Sequence, residues 1–177
     1  LNQKGQGFEV FKLLIAAIVA VFILTILLQI LSGIVPPTQG DPTQEASSKI
    51  KSLVSSPYTP QNTGAVLFKK DNAIVNATTI ARQTGSLSGA QICIDVSSDI
   101  EGTELFERSS DGRILTYTGT TDYRAKLKVI CGAGGSGPDT IDGTISTLNL
   151  GDVFPNCAGV TGSSSQTYCY VSVVSTE

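Results

Sequence analysis

The chain has 177 residues, a size that allows one globular domain plus one special segment. Its net charge of −3 and the absence of any basic block argue against nucleic acid, which needs a clustered basic face. Histidine is absent, which removes Ser-His-Asp and Cys-His arrangements and the commonest general base, so neither enzyme activity nor a cofactor is expected.

The first element is an uncharged apolar run from Leu13 to Leu31, interrupted only by Thr25 and Gln29. At 1.5 Å rise its length is roughly 28 Å, close to a bilayer's hydrocarbon thickness. It predicts a long hydrophobic α-helix within residues 1–35, able to cross a membrane and to pack into a polymer. The chain lacks methionine, so Leu1 is read as the start of a processed product that keeps this run, whereas a signal peptide would have been removed. Pro36-Pro37 cannot continue a helix and force an extended exit through a linker, residues 36–41. At the other edge Glu9 stands between Phe8 and Phe11. A carboxylate there is costly to bury alone. It becomes tolerable when paired with a positive group of another subunit, such as a terminal amine, Lys4 or Lys12. The plainer readings are a solvated interfacial acid or an intrahelical pair with Lys12.

The stretch KGQGFEVFKLLIAAIVAVFIL, residues 4–24, resembles the N-terminal segment of archaeal type IV pilins and related class III signal-peptide proteins. Lys4, Gly5, Gln6 and Glu9 carry the match, which covers about residues 3–31. The acid departs from the bacterial type IV pilin pattern, where it is the fifth mature residue; here it is the ninth. The resemblance implies the major structural subunit of an extracellular, cell-surface filament used in adhesion. Identical subunits would be held in a membrane and then polymerise helically through the N-terminal segment, with Glu9, Phe8 and Phe11 at the assembly contact. It also implies a prepilin-type signal peptidase, an assembly ATPase and a membrane platform protein as partners. A rotary-filament (archaellum) subunit, a minor pilin or pseudopilin, and a single-pass anchored binding domain are the alternatives.

Residues 42–177 read as a β-rich head. Asp41-Pro42-Thr43-Gln44 has the form of a helix start, with Asp as N-cap and Pro at the first position. Ala46, Ile50, Leu53 and Val54 then share one face of a helix over 42–55. Strands are predicted at 65–69, 90–96, 113–118, 123–131 and 167–174, with a weaker one at 144–150. A short helix is predicted at 76–84, with Asn76 as cap and Gly85 at its end. Strands 113–118 and 123–131 are read as a hairpin around Gly119, the second alternating Tyr123, Ala125, Leu127, Val129 and Cys131 against Arg124, Lys126 and Lys128. The fold class is α+β: the long N-terminal helix followed by a small, mainly antiparallel, sandwich-like sheet domain.

Four cysteines, all in the head, predict two disulfides in an extracytoplasmic setting. No CxxC pair or histidine supports a metal site. The favoured pairs are Cys93–Cys131 and Cys157–Cys169, although Cys93 falls on the polar face of its strand and Cys131 on an apolar one. Asp95, Asp99, Glu101, Glu104, Asp139 and Asp142 do not reproduce a calcium-loop spacing and are read as solvated loop acids. GAGGSG lacks the GK[ST] ending of a phosphate loop. Asn76-Ala77-Thr78 is the single N-glycosylation sequon of the chain, making Asn76 a candidate modification site.

Overall fold

The computed structural model describes residues 12, 14–21, 23–24, 40–70, 73–135, 137–157, 159, 162 and 165–176. The chain divides into two compact units, Leu1–Thr38 and Gln39–Glu177.

In the first unit the described residues 12, 14–21, 23 and 24 are helical. The long membrane-crossing N-terminal helix expected from the sequence is corrected here. Among the described residues no helix is long and apolar enough to cross a membrane. Phe8, Glu9 and Phe11 lie outside the described residues.

The second unit begins with α1, Pro42–Leu53. The Asp41 carboxylate accepts from the backbone N–H groups of Thr43 and Gln44 at 2.9 and 3.1 Å, and Pro42 occupies the first turn, where no intrahelical donor is needed. Ala46, Ile50 and Leu53 are fully buried, so this helix forms on the face its periodicity indicated. α2, Ala77–Thr84, is capped by Asn76 and closed by Gly85 at φ 72°, a left-handed conformation in which glycine carries no Cβ penalty. α3, Ile141–Thr147, starts at the Thr140 cap and occupies ground expected to hold a strand.

The strands are β1 Gln61–Asn62, β2 Val66–Phe68, β3 Ala73–Asn76, β4 Ile92–Val96, β5 Phe106–Arg108, β6 Ile114–Tyr117, β7 Tyr123–Ala133 and β8 Thr167–Val174. The larger sheet runs β1-β7-β8-β4, with β2 also pairing along β7. The smaller runs β3-β6-β5. The expected hairpin between β6 and β7 does not form. β6 pairs with β3 and β5, whereas β7 pairs with β1, β2 and β8, so the turn at Gly119 carries the chain from one sheet to the other. The sheet is also mixed: β4 pairs with β8 in parallel, Ile94 opposite Val171.

The larger sheet is covered on both faces. On one, Leu127, Val129, Val171, Val173 and Ile94 join α1, α2 and the inner residues of the smaller sheet in one core. The rings of Phe68, Phe106, Tyr117 and Tyr123 stack between the two sheets, Phe68 and Phe106 edge-on at 5.1 Å. On the other face Ile130, Tyr168 and Tyr170 pack with Ile141 and Ile145 of α3 and with Phe154. A sandwich of two sheets alone is therefore replaced by a larger sheet between two covering layers. Six consecutive buried residues in β8 are the consequence, as in strands that have no solvent face.

Candidate functional site

Three regions of the chain are candidates for function: the apolar N-terminal stretch, the disulfide-fastened part of the head and the surroundings of Asn76. The first differs from α1 in having no polar face. Leu14, Ile15, Ile18, Val19, Val21, Ile23 and Leu24 are 46–62% exposed, and at 100° per residue these positions point in all directions around the helix. A helix apolar all round is stable only where something apolar surrounds it. Covering a half-exposed aliphatic side chain is worth on the order of 1 kcal/mol, half the value for full burial.

In the head, the cysteine pairings differ from those expected. Cys93 is bonded to Cys157 and Cys131 to Cys169, with no free cysteine among the described residues. Cys131 and Cys169 stand directly opposite each other on β7 and β8, Cα atoms 4.1 Å apart. Their side chains enter the core shared with α1 and α2. Cys93 points through the opposite face of the larger sheet, where Cys157 follows α3. Cys93 and Cys131 are thus on opposite sides of one sheet and cannot meet. The polar-versus-apolar alternation around them in the sequence had carried that information.

Beside the Cys93–Cys157 bridge lies a buried ionic clamp. Asp95 is 1% exposed, and its carboxylate accepts from Val96 N, Asn156 N and Asn156 Nδ2 at 2.9, 2.7 and 3.0 Å. Arg108, the last residue of β5, reaches across to it: Nε lies 3.8 Å from Asp95 Oδ1 and donates to Ile94 O at 2.8 Å. Its Nη2 donates to Asn156 O at 3.2 Å and to Cys93 Sγ at 3.5 Å. One guanidinium thereby ties the smaller sheet, β4 and the segment after α3 together. Sequence reasoning missed Arg108, whose partners lie 14 and 48 positions away.

The remaining candidate acids do not converge. Asp99, Glu101, Glu104 and Asp139 are exposed, and Asp142 accepts from Tyr170 Oη at 2.8 Å and from Gly159 N at 3.2 Å. Among the described residues no group of three His, Cys, Asp or Glu could hold a metal ion. Among the described residues two ionisations are displaced. The Ser109 hydroxyl and the Arg113 N–H donate to Asp111 and hold its carboxyl below the ordinary 3.8. Burial, followed by the charge of Glu101 and by Tyr117, raises the Tyr123 phenol above 10.0.

Asn76 sits where β3 meets α2. Its Oδ1 accepts from Thr78 N at 2.8 Å and Thr79 N at 3.4 Å. An open groove of about 540 Å3 lies beside it, bordered by Gln44 of α1, by Ile74, and by Thr79 and Gln83 of α2.

Comparison of the chain with protein-family models, with characterised proteins and with solved structures found no match in any of the three.

Proposed function

We propose that this chain is the structural subunit of an extracellular, type IV pilus-like filament that serves surface adhesion. Copies assemble through the apolar N-terminal segment and turn their heads outward. The observation that carries this reading is the stretch 14–24, whose aliphatic side chains are exposed in every direction. With seven such side chains, association of like segments yields on the order of 7 kcal/mol per subunit, enough to drive polymerisation once subunits are aligned. The KGQGFEVFK stretch before it supports the pilin resemblance, and two disulfides without a free thiol support an oxidising, extracytoplasmic setting. Before assembly the partner is a membrane. Processing and export use a signal peptidase, an assembly ATPase and a platform protein.

The test is electron microscopy of cells with and without the gene, together with the purified protein. Filaments of this chain are expected, and they disappear when it is removed. Cells that keep their filaments, with purified protein that never polymerises, would sink the proposal. Glu9→Ala is expected to lower filament yield severalfold while the unfolding midpoint of the head stays unchanged. Full yield from that variant would remove Glu9 from the assembly contact.

A further inference from the structure

We propose that Asn76 carries an N-linked glycan whose first sugar lies over Ile74 and Ile114, while the Asn76 carbonyl continues to cap α2. The inference rests on the extracytoplasmic placement proposed above and goes beyond it.

The amide orientation is settled by the cap. Both hydrogen bonds of the side chain run from backbone N–H groups to Oδ1, so the other terminal atom is the nitrogen, and Nδ2 is left uncommitted. That nitrogen is the atom an N-linked sugar occupies. Glycosylation keeps the carbonyl oxygen, so cap and sugar do not compete. The backbone at Asn76 is extended (φ −128°, ψ 121°) and the side chain is half-buried. Thr78, whose hydroxyl completes the sequon, is exposed in the first turn of α2.

The surroundings suit a sugar. Asn76 is directly opposite Ile114 in the β3–β6 ladder, and Ile74 lies two residues back on the same face of β3. Ile74 and Ile114 are 53% and 37% exposed, an apolar patch on the outer face of the smaller sheet. The C–H face of a pyranose ring covers such a patch. Its hydroxyls can turn to the groove beside Asn76, which Gln44 and Gln83 help to line.

The transfer balances without redox change. A sugar activated as a lipid-linked phosphate or pyrophosphate is the donor. The bond from its anomeric carbon to the phosphate oxygen breaks, the electron pair leaves with the phosphate, and an Nδ2–carbon bond forms. The displaced Nδ2 proton goes to the leaving phosphate or to solvent.

The full chain, purified from the cells that natively make it, is digested with trypsin without reduction and mapped by mass spectrometry. Cleavage after Lys70 and Arg82 isolates the sequon on one peptide. That peptide is expected to exceed its polypeptide mass by whole sugar residues, with fragmentation placing them on Asn76. Asn76→Asp retains an oxygen for the cap but has no amide nitrogen, and Thr78→Val leaves Asn76 in place without the hydroxyl. Both variants, made in the same cells and matching the parent by circular dichroism, are expected to lose the excess completely. A bare Asn76 peptide in a sample whose two disulfides are formed overturns the glycan while leaving export intact. A mass excess that survives Asn76→Asp overturns it as well. A bare peptide with all four cysteines reduced removes the export premise, and the glycan with it.

Discussion

Removing one disulfide at a time distinguishes the two ways the four cysteines can be joined and measures what each bridge contributes. The perturbation is a pair of double variants, Cys93→Ala with Cys157→Ala and Cys131→Ala with Cys169→Ala, made in a fragment beginning at Gln39, the first residue of the second compact unit. The bridges close loops of 64 and 38 residues. In the chain-entropy description such loops correspond to about 4.3 and about 3.9 kcal/mol of stability at 25 °C. Against a total of ~5–15 kcal/mol for a domain, either loss is large but survivable. Guanidinium chloride unfolding supplies the stability difference, and thiol titration of the denatured variants supplies the connectivity. With Cys93 joined to Cys157, each double variant keeps the other bridge and exposes no thiol. With Cys93 joined to Cys131, the first variant would break both bridges and release two thiols. Two titratable thiols, or a stability loss below about 1 kcal/mol, would refute the reasoning.

Two further consequences concern the head. Arg108→Ala leaves Ile94 O and Asn156 O without their donor and Asp95 without its cation. Because Asp95 keeps three N–H donors, the expected loss is about 2–3 kcal/mol by denaturant unfolding, and a change under about 0.5 kcal/mol would show that the clamp is idle. Tyr123 has its folded pKa raised above 10.0, so its contribution to stability is complete below that pH and is lost as pH climbs through the folded value. Alkaline titration by ultraviolet absorbance should show a late component that Tyr123→Phe reduces by one phenol and that Glu101→Gln shifts toward the ordinary range. An undiminished late component in Tyr123→Phe would refute the assignment.

What the sequence made legible is local. The Asp41-Pro42 start, the Asn76 cap and the Gly85 stop each depend on residues within one turn of the helix they bound, and α1 and α2 formed where those signals stood. β8 was legible for a different reason: a near-continuous apolar run matches a strand buried on both faces. The failures are non-local. Strands β6 and β7 follow each other across Gly119 with good alternation, yet each finds its partners in a different sheet, because Leu115 and Tyr117 pack inward with β3 and β5 while β7 lies beside β8. Residues 144–150 alternated weakly enough to pass as a strand. The Thr140 cap, accepting from Gly143 N at 3.2 Å, starts a helix before that window begins.

The candidate sites divide along the same line. Asn76 could be found from three residues, whereas Arg108 has meaning only after β4, β5 and the segment after α3 have come together. The pairing of Cys93 shows how the two kinds of information combine. Alternation along β4 places Cys93 on the side away from Ile92 and Ile94, and β7 places Cys131 on the side of Val129. Two strands of one sheet with cysteines on opposite faces exclude the expected Cys93–Cys131 bridge. The head therefore closes its own core: both faces of its larger sheet are covered, and each is crossed by a disulfide. Among the described residues of 14–24 the large aliphatic side chains are about half exposed or more. A change in the stretch should therefore be read in assembly, and a change in the head's fasteners in unfolding. A substitution among residues 14–24 that lowered the unfolding midpoint of the head would contradict that separation.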